Sequence, residues 1–335
     1  MTEVGRETVQ GFEIRWCVWA PAIALLLTTG CAPPAPAPES LEIVFEARMG
    51  AEPAQCDVVF DGVGATETPV ELADARFYVS NFSLLHTDGT WTAVELDQDT
   101  PWQHETVALL DFEDASGRCS DTGTRQMNQV VRGIAPAGSY SGLRFEIGVP
   151  HALNHLDAST SPSPLNLNAL YWNWRFGYIF SKVEFWNPDV QSVQEPASQG
   201  TDSTKSPLQA ASSAETTAAT PSPRPTTTYL MHIGSTGCES ASITSAPTEP
   251  CARPNRVPIE IDGFDPASDT VVLDLATLAD SIDVTSSVPR PPGCMASPVD
   301  PDCIQVFANL GLDLATGRCT TDCSDQKLAS RSRGE

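Results

Sequence analysis

The side chains in this chain best suited to chemistry are imidazoles, thiols and indoles. Histidine occurs at His86, His104, His151, His155 and His232. Neutral imidazole is the commonest metal ligand and suits copper well. His151 and His155 share the His-x-x-x-His spacing, although His151 reads as a loop position beside Asn154-His155. Ala152-Leu153-Asn154 between them lacks the glutamate of a zincin helix, however, and Gly148-Val149-Pro150 stands before them. In Trp102-Gln103-His104, Trp102 and His104 share a face if a strand through Leu110 and Phe112 begins early. An indole beside an imidazole at a strand entrance could wall a soft-metal site, but spacing alone favours a rim aromatic next to a surface histidine. Met127 and Met231 could add a thioether, but Met231 alternates with His232 and points the other way in a strand. His86 falls in a turn and is expected to be exposed.

The cysteines favour cross-links over ligation. Cys56, Cys119, Cys238, Cys251, Cys294, Cys303, Cys319 and Cys323 contain no Cys-x-x-Cys, so zinc or iron–sulfur binding has little support. Disulfides that constrain the unfolded chain are the stronger reading. The simplest pairing follows chain order: Cys56 with Cys119, then each later cysteine with its neighbour. Sequence alone leaves on the order of a hundred connectivities open. No nucleophile stands out either. Gly138-Ser139-Tyr140-Ser141-Gly142 lacks the frame of a nucleophile elbow and opens a strand, and there is neither a P-loop nor a dinucleotide fingerprint. Asp111, Glu113 and Asp114 read as a solvated turn rather than an acid/base pair.

The elements that must position these residues are strands. Leu143, Phe145, Ile147 and Val149 alternate with Arg144 and Glu146. Ile179, Val183 and Phe185 alternate with Lys182 and Glu184, and Val257, Ile259 and Ile261 with Pro258, Glu260 and Asp262. Ile43, Phe45 and Ala47 follow the same rule. A period of two marks half-buried antiparallel strands. Residues 76–85 and 91–96 flank an Asp88-Gly89 turn and predict a hairpin. Short helices fit only near residues 273–280 and 304–312. The expected fold is therefore mostly β: an antiparallel β-sandwich with long loops, stapled by disulfides and carrying few short helices.

Composition sets the outer limits. Nineteen Lys+Arg against 43 Asp+Glu give a formal charge of −24, which excludes nucleic acid as the natural partner because phosphate binding needs a basic footprint. Ten cysteines point to an oxidising compartment. At the start, Arg6 and Arg15 precede an apolar run at residues 16–27 that is too short for a permanent span. It leads to Leu27-Thr28-Thr29-Gly30-Cys31, which resembles a bacterial lipoprotein signal. Residues 1–31 are thus expected to be a signal ending at a lipidated Cys31, and Pro-rich residues 32–40 an extended spacer. Residues 41–325 are read as one β domain. Within it, residues 191–228 form an insertion of Ser, Thr, Ala and Pro that is too poor in aliphatic residues to order itself.

Several blocks together resemble the MbnP-like copper-binding family, described as four-cysteine-motif proteins of a metallo-mystery pair. They are Arg76-Phe77-Tyr78-Val79-Ser80, Val107 through Asp114, and Gly148-Val149-Pro150 leading to Asn154-His155-Leu156-Asp157. They continue with Ser163-Pro164-Leu165-Asn166-Leu167, Tyr171-Trp172-Asn173-Trp174 and Gly177-Tyr178. The last are His232-Ile233-Gly234-Ser235-Thr236-Gly237-Cys238, then Cys251, Pro254-Asn255-Arg256, Gly293-Cys294-Met295 and Asp302-Cys303. The resemblance covers roughly residues 43 to 312.

It implies a copper-binding protein of the periplasm or cell envelope, not an enzyme, held to the outer membrane by its lipid anchor. It also implies a partner, a di-haem c-type cytochrome related to MauG and bacterial peroxidases, that oxidises one tryptophan to kynurenine near the metal. His104, His155 and His232 stand in or beside family blocks and are the implied ligands. Trp102, two residues before His104, is the implied modified tryptophan, with Trp172 and Trp174 as rivals. The alternatives are a metal-free adhesive or structural lipoprotein and, with less support, a hydrolase or glycan-binding module using the acidic loops.

Overall fold

Alternating apolar residues assemble into two sheets. The computed structural model describes residues 37–121, 123–187, 228–285 and 293–333. The expected signal, Cys31 and nearly all of the expected insertion at 191–228 lie outside these residues. The principal strands are β1 (Pro38–Met49), β2 (Thr68–His86), β3 (Val107–Asp111), β4 (Val130–Pro136) and β5 (Tyr140–Ile147). They are followed by β6 (Ser181–Trp186), β7 (Thr228–Ile233), β8 (Val257–Asp262), β9 (Asp269–Asp274) and β10 (Ala329–Arg333).

One sheet runs β10-β9-β1-β4 and ends on the short strand Glu95–Leu96. The larger runs β8-β5-β2-β6-β7 and ends on Gly293–Cys294, with β3 and other short strands added along β2. Most pairs are antiparallel, as the alternation implies, but β1 pairs with β9 in parallel and β7 with Gly293–Cys294 likewise. The expected boundaries also shift. Pro38–Ser40 belong to β1 rather than to a spacer, and β10 carries the domain past residue 325. Among the described residues, no helix is long and apolar enough to cross a membrane.

The inward residues of both sheets make one core. Ile43 and Phe45 from β1, Val271 and Leu273 from β9, and Phe77, Phe145, Val183 and Met231 from the larger sheet all belong to it. Phe82 and Phe145 stack with their centroids 5.4 Å apart, and Phe45 meets Phe145 edge-on. The alternation is borne out in β5: Leu143, Phe145 and Ile147 are buried while Arg144 is exposed. The hairpin forms with Leu85 opposite Trp91, and Gly89 takes the positive φ (88°) that its turn needs. The two expected helical segments form as the 3₁₀ turn Leu275–Ala279 and α2 (Cys303–Asn309); a single turn, α1, spans His151–Asn154, and further 3₁₀ turns lie at Gly117–Asp121 and Asn168–Leu170.

β2 is the spine of the larger sheet and changes partners along its length. Residues near Arg76 pair with β6 on one side and β3 on the other, and from Val79 onward β5 takes the place of β6. The pairing slips at Asn81, whose φ of 59° makes the bulge that re-aims the strand. A second, smaller core lies on the outer face of this sheet, where Tyr78, Val107, Leu109 and Phe180 meet Leu153, Leu165 and Leu170 from the connecting loops.

Four disulfides cross-link the fold. Cys56–Cys119, Cys238–Cys251, Cys294–Cys303 and Cys319–Cys323 have S–S distances of 2.05 to 2.10 Å, the pairing expected from chain order.

Candidate metal centre

The chain turns sharply into α1. At Gly148 φ is +143°, and a Cβ there would lie 2.6 Å from Arg256 Cγ, so only glycine fits. Pro150 then starts the single turn, and His155 closes it. The i, i+4 spacing brings the His151 and His155 rings to 5.1 Å between centroids.

Asn154 ties this turn to the hairpin formed by Tyr171–Asn173 and Gly177–Tyr178. Its Oδ1 accepts from Tyr178 N at 3.0 Å, and its Nδ2 donates to Phe176 O at 3.2 Å. At Gly177, a Cβ would sit 2.1 Å from Asn154 O, so the two segments touch through backbone. His155 is held by the same hairpin: its Nδ1 lies 3.1 Å from Trp174 O. A carbonyl can only accept, so Nδ1 carries the proton and Nε2 keeps its lone pair. That is the arrangement of a metal-ligating histidine, whose second nitrogen is fixed by a carbonyl. Burial, the largest influence, pushes the His155 imidazole down to about 4. It is therefore neutral at physiological pH. Around Nε2 stand Asn154 Nδ2 at 3.2 Å and Cys251 Sγ at 3.5 Å.

Among the described residues, His151, His155 and Cys251 form the one group of three potential ligands whose donor atoms all lie within 4.8 Å of one another. Cys251 is bonded to Cys238 and offers no thiolate, so the usable donors are the two imidazoles. Two imidazoles in a half-buried, disulfide-backed corner fit copper by donor chemistry.

The three histidines expected as ligands do not come together. Only His155 belongs to this group. His232 is on β7, on the outer face of the sheet, with Nε2 2.7 Å from Glu184 Oε1. Met231 points into the main core as the alternation requires. His104, in the short strand Gln103–His104, faces Glu105 at 3.8 Å and is partly solvent-exposed. His86 is not free in solvent but lies against Tyr140, 4.6 Å between rings. Trp102 is half-buried and packs against the smaller core, the same cluster that receives Leu153 from α1. Trp174 is exposed, with its carbonyl on His155, and Trp172 packs edge-on against Phe176. The missed partner is His151, and its signal was the four-residue spacing. A single helical turn suffices for that geometry; a long zincin helix is not needed.

His232 belongs instead to a buried row of charges crossing four strands. Cross-strand pairing sets Asp111 opposite Arg76, Arg76 opposite Lys182, and Lys182 opposite His232. Lys182 Nζ lies 2.5 Å from Asp74 Oδ2 and 3.2 Å from Glu184 Oε1, while Arg76 pairs with both Asp74 and Glu113. The acidic run is thus not a solvated turn: Asp111 and Glu113 are 4% and 0% exposed, and only Asp114 faces water. Four carboxylates against Arg76 and Lys182 leave the row acid-rich. Burial, then the neighbouring charge of Asp74, pushes Glu113 up to about 8, and burial pushes Asp111 to about 6. Burial opposes ionisation of Glu184 too, but its bonds to His232 and Lys182 hold it below the ordinary carboxylate range.

Comparison with known proteins agrees with this layout. A search of curated proteins gives no match. Among solved structures, MbnP from Methylosinus trichosporium superposes with a TM-score of 0.66 and 28% identity, covering 89% of this chain and 100% of that one. The family model for MbnP matches residues 38–296, from the first residue of β1 to just past Cys294. With most of the sandwich, the helical turn and the Cys56–Cys119 and Cys238–Cys251 bridges inside that span, the chain belongs to the MbnP family.

Proposed function

We propose that this chain is a copper-binding protein of the bacterial cell envelope whose metal centre is nucleated by His151 and His155. The observation that carries the reading is the state of His155: buried, neutral, with Nδ1 committed to Trp174 O, Nε2 beside the Asn154 amide and the Cys251 sulfur, and the His151 ring 5.1 Å away between centroids. Copper would bring soft, imidazole-compatible coordination; the chain's part is to hold two rings in register, with burial keeping His155 neutral. Four disulfides support an oxidising compartment and hence export. A lipid anchor at Cys31 goes with that reading. So does a role as a binding protein rather than an enzyme, with a di-haem cytochrome as the oxidising partner of one tryptophan. Trp102, against the smaller core beside α1, stays the assigned position, with Trp174, bonded to His155, as the competitor.

Competition titration with a copper chelator tests the centre. His155→Ala and His151→Ala should each weaken copper retention by at least about tenfold, because one ligand of few is lost. His104→Ala and His232→Ala should leave it within about twofold. Equal loss in all four variants, or in none, removes the assignment. Mass spectrometry of the chain produced with and without a di-haem partner tests the modification. An unmodified Trp102 peptide beside an active partner eliminates that position.

A further inference from the structure

A second site lies on the other side of the Cys238–Cys251 bridge. There, a cavity of about 650 Å³ has apolar walls of Trp172, Phe176, Met295 and Pro298, with Arg175 and Arg253 at its polar edge. Its size is that of a small-molecule pocket. Among the described residues that line it there is no carboxylate, although the chain as a whole carries a formal charge of −24. Two arginines facing one carboxylate-free cavity in so acidic a molecule make a local anion site.

Both arginines are held in place. Asn173 Oδ1 accepts from the backbone N–H of Arg175 and of Phe176 at 3.0 and 3.1 Å, locking the turn that presents them. Arg175 donates Nε and Nη2 to Ser240, which leaves Nη1 available. Arg253 is fixed through its backbone bridge to Thr236 and the Nε bond to Thr236 Oγ1 at 3.1 Å, leaving both terminal nitrogens. Gly237 makes room for that guanidinium, since a Cβ there would stand 2.8 Å from Arg253 Nη2. The disulfide staples this wall, and Trp172 and Phe176 stand at 89° to each other, offering one aromatic face and one edge. Guanidinium forks recognise carboxylates, and the aromatic and thioether walls suit a flat apolar body.

We infer that this cavity binds a small aromatic carboxylate, its carboxylate on Arg253 and Arg175 and its ring against the wall formed by Trp172 and Phe176. Calorimetry on the full chain, with and without one equivalent of copper, tests this with 2-naphthoate as probe and neutral 2-naphthamide as control. Naphthoate should bind one site per chain, and naphthamide at least about tenfold more weakly, reflecting lost charge-assisted hydrogen bonds. Arg253→Gln and Arg175→Gln should each lower naphthoate affinity by about tenfold and leave naphthamide unchanged. A salt series on the unaltered chain gives the same discrimination without a substitution: naphthoate affinity falls with ionic strength and naphthamide affinity does not. No naphthoate binding at millimolar concentration, equal affinity for the two probes, or an equal salt response overturns the inference. Because the probes bind without copper, failure here leaves the His151–His155 centre standing, and the converse holds.

Discussion

What a histidine can do depends on what holds its two nitrogens, and this chain contains two contrasting cases. His155 gives one nitrogen to a carbonyl and keeps the other as a lone pair; His232 gives one to the Glu184 carboxylate. His232→Ala should therefore lower stability by about 1–3 kcal/mol, by leaving Glu184 with one partner fewer, while copper retention is kept. Chemical denaturation followed beside a copper titration separates the two effects. Glu113 supplies a pH signature. Its carboxyl is raised from the ordinary value to about 8, so between about 4.5 and 8 the folded chain holds a proton that the unfolded chain has lost. Stability from this group is fully present below pH 4.5 and declines as pH rises through that window. Glu113→Gln should abolish the decline, so the variant gains on the parent by a few kcal/mol, on the order given by the shift, between pH 5 and about 8. A constant difference across that range contradicts the assignment. None of this row was legible beforehand. Asp111 and Glu113 look like a polar turn until cross-strand pairing sets Asp111 opposite Arg76, and that register is a property of two strands rather than of any local segment.

At the scale of elements, strands were the most legible feature. Leu143, Phe145 and Ile147 alternate, and that alternation reports burial directly. Partner choice was not legible: the parallel pairing of β1 with β9 comes from closing the sandwich, and no residue in either strand encodes it locally. The polar face of β6 shows a further limit. Lys182 and Glu184 alternate as on a solvated surface, yet Lys182 is buried because Asp74 and Arg76 of β2 meet it. Asn154 and the hairpin it bonds form the element that sets His155. Asn154→Ala removes two bonds between them and should cost about 1–3 kcal/mol while weakening copper retention, since the imidazole loses its frame. The disulfides differ in expected weight because they close loops of different length. Cys56–Cys119 spans a separation of 63 residues and Cys319–Cys323 only 4. Replacing the first pair by alanines should cost about 4 kcal/mol and the second about 2, measured by denaturant unfolding under oxidising conditions. Equal costs would show that unfolded-chain entropy is not the main cause.

At the scale of the whole molecule, two sheets make a rigid support, and chemistry gathers in the loops at its outer face. α1, the Tyr171–Tyr178 region and the Cys238–Cys251 bridge converge there, though they are distant in sequence. That convergence explains why the site was half visible. His155 stood within a motif that resembled the family, and His151 lay four residues away, but the reason to pair them, and to separate both from His104 and His232, exists only after folding. A crystal of the chain grown with copper, measured by anomalous scattering at the copper edge, tests the centre most directly. A single strong peak bonded to His155 Nε2 and to the His151 ring is the expected result; a peak held by His104 or His232 without His155, or no ordered copper, contradicts it.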